Sequence, residues 1–243
     1  MEPDQYLTAL ARESMDLAEA AQAAGPSAPV PSCPGWTVSD LLVHCASGDY
    51  WARTIAERQT TERVPVELPE DPPTGEALAP WFLAGAQALI DALRKTDPST
   101  SVWTFSPADR TAHFWYRRRA HETSIHRIDA QLAAGRTPVP IDGPMASDGV
   151  DEFLTFFVPR WGKAAVGAGE TLHFHCTDVG GEWLLRGSDD DVTVSREHAK
   201  GDVAARGSAS DLMLLVWGRA PTAQVEVLGD ADLLNRFLAA IKV

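Results

Sequence analysis

Positive charge is scarce in this sequence. Its 21 lysines and arginines are outnumbered by 34 aspartates and glutamates, for a net charge of −13. Phosphate recognition needs a basic face, so a nucleic-acid partner is not expected. The basic residues that do cluster are Arg117, Arg118 and Arg119. Cysteine is equally sparse. Cys33, Cys45 and Cys176 are odd in number and contain no C-x-x-C, so they make neither a disulfide framework nor a cysteine-rich zinc site. That fits a reducing compartment. Long apolar runs are also missing, and none approaches the roughly 18–20 residues a membrane span needs. The opening MEPDQYLTALARESMD is acidic and amphipathic, whereas a secretory signal is basic and then apolar. The expectation is a cytoplasmic protein with no membrane partner. Nothing in the sequence specifies an oligomeric state.

What the chain does have is enough apolar material for a substantial core. It carries 44% hydrophobic and 23% charged residues over 243 positions, the proportions of an ordinary globular protein with one large domain or two modest ones. Apolar residues at helical spacing (Leu7, Leu10, Met15, Leu17) predict a helix over 4–24, stopped by Gly25-Pro26. After a proline- and glycine-rich loop, Thr37 and Asp40 form a capping-box variant. Trp36 and Leu41 stand where a hydrophobic staple would pack, so a second helix is expected over about 37–59. A proline-rich loop over 64–76 separates it from a third helix at about 74–96, and a fourth runs from about 108 to 134. Four long helices uninterrupted by strand signals predict a four-helix bundle over 1–140.

The texture changes after Pro140. An aromatic-rich helix over 146–165 is followed by TLHFHCTD, GEWLLRGS and DVTVSRE, which alternate with the period of half-buried strands, with a turn at SDDD. A helix at 208–218, a short strand at AQVEVLG and a helix at 230–241 complete a small mixed α+β domain over 141–243. The fold class expected is therefore a two-domain α+β protein.

The segment HETSIHRIDA (121–130) resembles the zinc-protease pattern H-E-x-x-H, but its second histidine comes one residue late. Helical geometry decides what remains. Glu122 and His126, four apart, share a face within about 40°, whereas His121 lies about 140° round from His126 and points elsewhere. An E-x-x-x-H pair needs a third ligand from another helix. His44, midway along the second helix, is the natural candidate in a bundle core fed by facing helices. Two histidines and a carboxylate suit zinc or another divalent first-row metal and leave a coordination position open. Spacing alone leaves plainer readings standing: a solvated Glu/His face, and a hydrogen-bonded core histidine among Leu41, Leu42 and Val43. His173 and His175 share a strand face and are able to ligate, but a surface strand explains them better. His113 and His198 have no evident partners. Arg117–Arg119 read as a partly solvated face on which Arg118 steers anions. Cys45 points about 100° away from His44 and is not expected to act as a nucleophile.

Two stretches together resemble the mycothiol-dependent maleylpyruvate isomerase family, within the wider DinB-like group of metal-binding helix bundles. They are SCPGWTVSDLLVHCASGDYW, with a histidine eight residues after the tryptophan, and RRAHETSIHRIDAQLAAGR. GSASDLMLLVWGRAPTAQVEVLGD is similar to the end of that family's C-terminal domain. The resemblance implies a DinB-like bundle holding a metal, usually zinc, at His44, Glu122 and His126. It also implies a C-terminal domain that closes over the metal face and supplies an arginine for the substrate's carboxylate, matched best by Arg219, with Arg206 as the fallback. The implied cosubstrate is mycothiol, a low-molecular-weight thiol, acting on a small-molecule substrate. Only a thiolate is a good nucleophile, and a metal deprotonates and orients it. In an isomerase, the metal-bound thiolate adds to the cis double bond of an activated enoyl diacid, and rotation and elimination give the trans form. The alternatives are a mycothiol S-transferase or lyase acting on a natural product or xenobiotic, and a non-catalytic ligand-binding bundle. Asp129, one turn past His126, is placed either to hold that ligand's outer ring nitrogen or to pair with Arg127 or Arg136. Gly48 and Trp51 are placed to flank a ligand with space and an aromatic wall, although core packing explains Trp51 equally well.

Overall fold

The computed structural model describes residues 1–66, 68, 71–161, 165–189 and 191–241. Glu67, Pro69 and Glu70 of the expected proline-rich loop, 162–164 of the expected aromatic helix and Asp190 of the expected turn lie outside the described residues. The chain divides into two compact units, Met1–Val139 and Pro140–Val243.

The first unit is a bundle of α1 (Pro3–Ala24), α2 (Val38–Arg58), α3 (Leu78–Lys95) and α4 (His113–Ala133). Pro3 opens α1, and Gly25 ends it with φ 87°. The capping box at α2 forms as expected: Thr37 N–H donates to Asp40 Oδ2 at 2.8 Å, and Asp40 N–H to Thr37 Oγ1 at 3.3 Å. This fixes the start of the helix that carries His44. A 3₁₀ turn, Gly75–Ala77, precedes α3.

The fourth helix begins five residues later than its pattern suggests. Thr104, Ser106 and Asp109 hold the backbone in side-chain-capped turns, Asp109 Oδ1 accepting Thr111 N–H at 2.9 Å and Ser106 Oγ accepting Ala108 N–H at 3.2 Å. α4 is buried around most of its circumference, against α1 and α2. Burial that wide leaves charged side chains inside, and they are paired. Arg127 Nε donates to Glu13 Oε2 at 2.7 Å with both side chains buried. Loss of either partner of such a pair costs about 3–5 kcal/mol. Apolar packing of Leu17, Leu41, Phe82 and Ala86 fills the core between α1, α2 and α3.

The second unit begins with α5 (Gly143–Glu152), which continues through a π turn, Phe153–Phe157, into α6 (Val158–Trp161). A five-stranded sheet follows in the order β3-β2-β1-β4-β5, from β1 (Thr171–Cys176), β2 (Glu182–Gly187), β3 (Val192–Ser195), β4 (Val203–Gly207) and β5 (Glu226–Gly229). β1 and β4 run parallel; the other pairings are antiparallel. α7 (Ala209–Val216) and α8 (Ala231–Ala240) complete the unit. One face of β1 presents Leu172 and Phe174 to the core, with Phe174 5.7 Å from Phe237 of α8 between ring centroids. The opposite face therefore carries His173 and His175. Strand β4 was not expected from sequence. VAARG is short and alanine-rich and lacks the bulky alternation that marks the other strands.

Candidate metal centre

α2 and α4 bring His44, Glu122 and His126 together. One ligand atom of each lies within 4.8 Å of the other two. His44 Nε2 stands 3.2 Å from Glu122 Oε1, and the two imidazoles meet edge to face with centroids 5.0 Å apart. His44 is exposed, Glu122 partly so, and His126 buried. Trp36 lies beside both rings, 4.9 Å from His44 and 6.3 Å from His126 between centroids. The loop residue expected to staple α2 thus forms a wall of the site.

Asp129 fixes the orientation of His126. Its Oδ2 is 2.8 Å from His126 Nδ1, and the buried carboxylate also accepts Ser32 O–H at 2.5 Å and Cys33 S–H at 3.5 Å. With Nδ1 engaged, Nε2 is the nitrogen left to bind a metal. The alternative pairings of Asp129 do not form: Arg127 is bound to Glu13, and Arg136 donates to Glu19 at 3.2 Å. Burial lowers the pKa of His126 against the upward pull of Asp129, which favours the neutral imidazole that metals require. Cys33, His126 and Asp129 also form a compact group, but it shares the same imidazole through its other nitrogen.

Glu122 is supported from behind by the arginines of α4. Arg119 Nη1 donates to Glu122 Oε2 at 2.5 Å, and Arg118 Nε lies 3.6 Å from the same oxygen. Burial works to raise the pKa of Glu122, but Arg119, the hydrogen bond with His44 and Arg118 together hold it well below the usual carboxylate range. Arg119 is itself locked: Nε donates to Asp49 Oδ1 at 2.9 Å and Nη2 to the Cys45 carbonyl at 3.1 Å. The expected solvated, anion-steering face is therefore corrected. Arg118 and Arg119 are 2% and 1% exposed, because α4 runs through the bundle interior.

The expectation of ligand space beside Gly48 is corrected, and of the two readings of Trp51 core packing is the one that holds. Gly48 clears space for Arg119, since a Cβ there would lie 2.4 Å from Nη1 and 2.9 Å from Cζ. Trp51 belongs to an aromatic cluster, 5.1 Å from Trp103 and 5.4 Å from Trp115 between centroids, with its Nε1–H donating to Val64 O at 2.9 Å. Cys45 is fully buried, and burial pushes its thiol well above the ordinary range, so it is no nucleophile. His121 is buried against Tyr6, away from the other three residues, and His113 packs on Tyr6 and reaches Asp109 Oδ2 at 3.5 Å. Arg119, Asp49, Ser32 and Cys33 are the site residues that spacing did not reveal. Ser32 and Cys33 do lie within the quoted SCPGW stretch.

In the second unit, Arg219 sits in the turn after α7, its Nη1 donating to Trp217 O at 2.6 Å. Arg206 is held by Glu226 at 2.9 Å.

A neutral buried imidazole, an ionised carboxylate and a second, exposed imidazole facing one another fit a divalent first-row ion with a coordination position to spare. The sequence pattern of the mycothiol maleylpyruvate isomerase N-terminal domain matches residues 7–131, and that of the MDMPI C-terminal domain matches 144–236. Among solved structures, the mycothiol-dependent maleylpyruvate isomerase matches at 18% identity and TM-score 0.61. A histidine-to-alanine mutant of it matches at 17% and 0.65. In both matches 93% of each chain is covered. No curated protein matches the chain significantly. With both domain patterns matched in order and the whole fold shared, the chain belongs to the mycothiol maleylpyruvate isomerase family.

Proposed function

We propose that this protein is a metal-dependent, mycothiol-using isomerase whose ligands are His44, Glu122 and His126. The convergence of these three side chains, with His126 oriented by Asp129, carries the reading. A divalent ion bound there, zinc in this proposal, supplies a Lewis acid that keeps a thiol ionised and leaves it a coordination position. The thiol provides the nucleophile for cis–trans isomerisation of an enoyl diacid such as maleylpyruvate.

The chain's own residues prepare the site. Asp129 sets the tautomer and angle of His126. Arg119 and Arg118 keep Glu122 ionised and fix its Oε2, leaving Oε1 toward His44. Trp36 shields the histidines on one side. Arg219 is assigned to the substrate carboxylate, because guanidinium pairs with carboxylate in a bidentate fork.

Product analysis with zinc, mycothiol and maleylpyruvate tests this. The expected result is a trans product with the thiol recovered unconsumed, and loss of turnover in His44→Ala. A stable thioether adduct would make the protein an S-transferase instead. Turnover that is absent, or unchanged in His44→Ala, would remove the proposal.

A further inference from the structure

A second group of ligating side chains lies on the sheet of the C-terminal unit. His173 and His175, two apart on β1, share the face opposite the Phe174 core. The antiparallel register places Glu182 of β2 directly across from His175. His198 comes from the segment joining β3 to β4. These strands lie on opposite sides of β1, so the segment must cross the sheet. Its flanks are held: Arg196 forms two bonds to Asp151, at 2.5 and 2.8 Å, and Ser195 O–H donates to Glu197 at 2.6 Å.

The result is three imidazoles around one carboxylate oxygen. Ring centroids are 5.9 Å apart for His173–His175 and 6.0 Å for both His173–His198 and His175–His198, with interplanar angles of 78°, 87° and 82°. Glu182 Oε2 lies 3.3 Å from His173 Nε2, 3.6 Å from His175 Nδ1 and 2.6 Å from His198 Nδ1. One ligand atom from each of the four residues lies within 4.8 Å of the rest.

Hydrogen bonding alone does not account for this cluster. Of the three imidazoles, His198 makes the short, well-aligned hydrogen bond to Glu182. His173 is 5% exposed, and its Nε2 points into the cluster, 3.3 Å from Glu182 Oε2 but without the alignment of a good hydrogen bond. A buried ring nitrogen left without a good bond is costly, and it is explained if its partner is a metal. Two of the three Glu182 separations, 3.3 and 3.6 Å, also match the geometry, and His198, at 2.6 Å, has to draw back from Glu182 for an ion to enter. Two ligands at about 2.1 Å on neighbouring tetrahedral corners stand about 3.4 Å apart. Arg206, the cross-strand neighbour of His175, has its charge offset by Glu226 at 2.9 Å.

The geometry points to a second divalent-metal site, formed by His173, His175, Glu182 and His198, that takes zinc in a closed four-ligand shell. Four protein ligands leave no open position, which is the mark of a structural site. The ion pins the β3–β4 crossing to the middle strand of the sheet. It acts on stability and takes no part in turnover.

Zinc stoichiometry of the full chain, measured by metal analysis after equilibration with a competing chelator, tests the site. About two ions per wild-type chain are expected, and one each in His198→Ala and His44→Ala. His198 is exposed, so its loss leaves the fold intact, and zinc affinity at this site should fall at least about 100-fold. Zinc should raise the melting temperature of His44→Ala chains but not of His44→Ala/His198→Ala chains. Unchanged zinc content in His198→Ala would overturn the site. A loss in His198→Ala with none in His44→Ala would uphold this site and remove the proposed metal centre of the bundle.

Discussion

The two candidate metal-ligand groups in this chain are built differently. In the bundle, three candidate ligands are backed by a second layer of buried charge: Asp129 behind His126, and Arg119 and Arg118 behind Glu122, with Asp49 behind Arg119. On the sheet, four candidate ligands face one another, one of them an exposed loop histidine, and Glu182 is their shared centre. Support of the first kind fixes angles and protonation states while leaving a position free, as a reacting centre needs. Ligation of the second kind saturates an ion and asks only that four groups meet.

The largest effect expected from breaking this contrast is at Glu122. Glu122→Ala should reduce thiol-dependent turnover at least about 100-fold, because even outer partners of metal ligands are worth about 10–100-fold. Steady-state rates with and without added zinc check this. Next comes the buried pair behind it. Arg119→Leu leaves the buried Asp49 carboxyl without its partner, and should lower unfolding free energy by about 3–5 kcal/mol. Urea denaturation gives the value, and a loss below about 1 kcal/mol would show that the pair is not buried as described. Asp129→Asn keeps the shape but alters the hold on His126, and a zinc affinity about 10–100-fold weaker is expected with the fold retained. Gly48→Ala pushes a methyl group into Arg119 and should cost about 1–3 kcal/mol. The smallest effect belongs to the sheet: His198→Ala should leave turnover unchanged, and a change beyond about twofold would deny the separation of roles.

Much of the architecture was legible because hydrophobic periodicity switches from helical to alternating after Pro140. The shared face of Glu122 and His126 was readable for a related reason, since helix geometry fixes which residues four apart share a face, and His44 was the natural candidate opposite them on another bundle helix. Asp129, one turn past His126, was left between holding that ring and pairing with Arg127 or Arg136, because spacing alone allows both. Arg119 and Asp49 were not readable. Three consecutive arginines look like a solvated run, and only the central position of α4 buries two of them. Strand β4 escaped because VAARG carries no bulky alternation, and without it the crossing that places His198 over β1 was invisible. His173 and His175 were therefore read as surface residues, although their neighbours enclose His173 almost completely.

In the proposed mechanism a thiol meets a metal held by His44, Glu122 and His126. Cobalt substitution tests it directly, because a thiolate bound to cobalt gives a charge-transfer absorption that nitrogen and oxygen ligands do not. Adding mycothiol to the cobalt-loaded protein should produce that band in wild type and in His198→Ala, and not in Glu122→Ala. No band in wild type, or an equal band in Glu122→Ala, would contradict it.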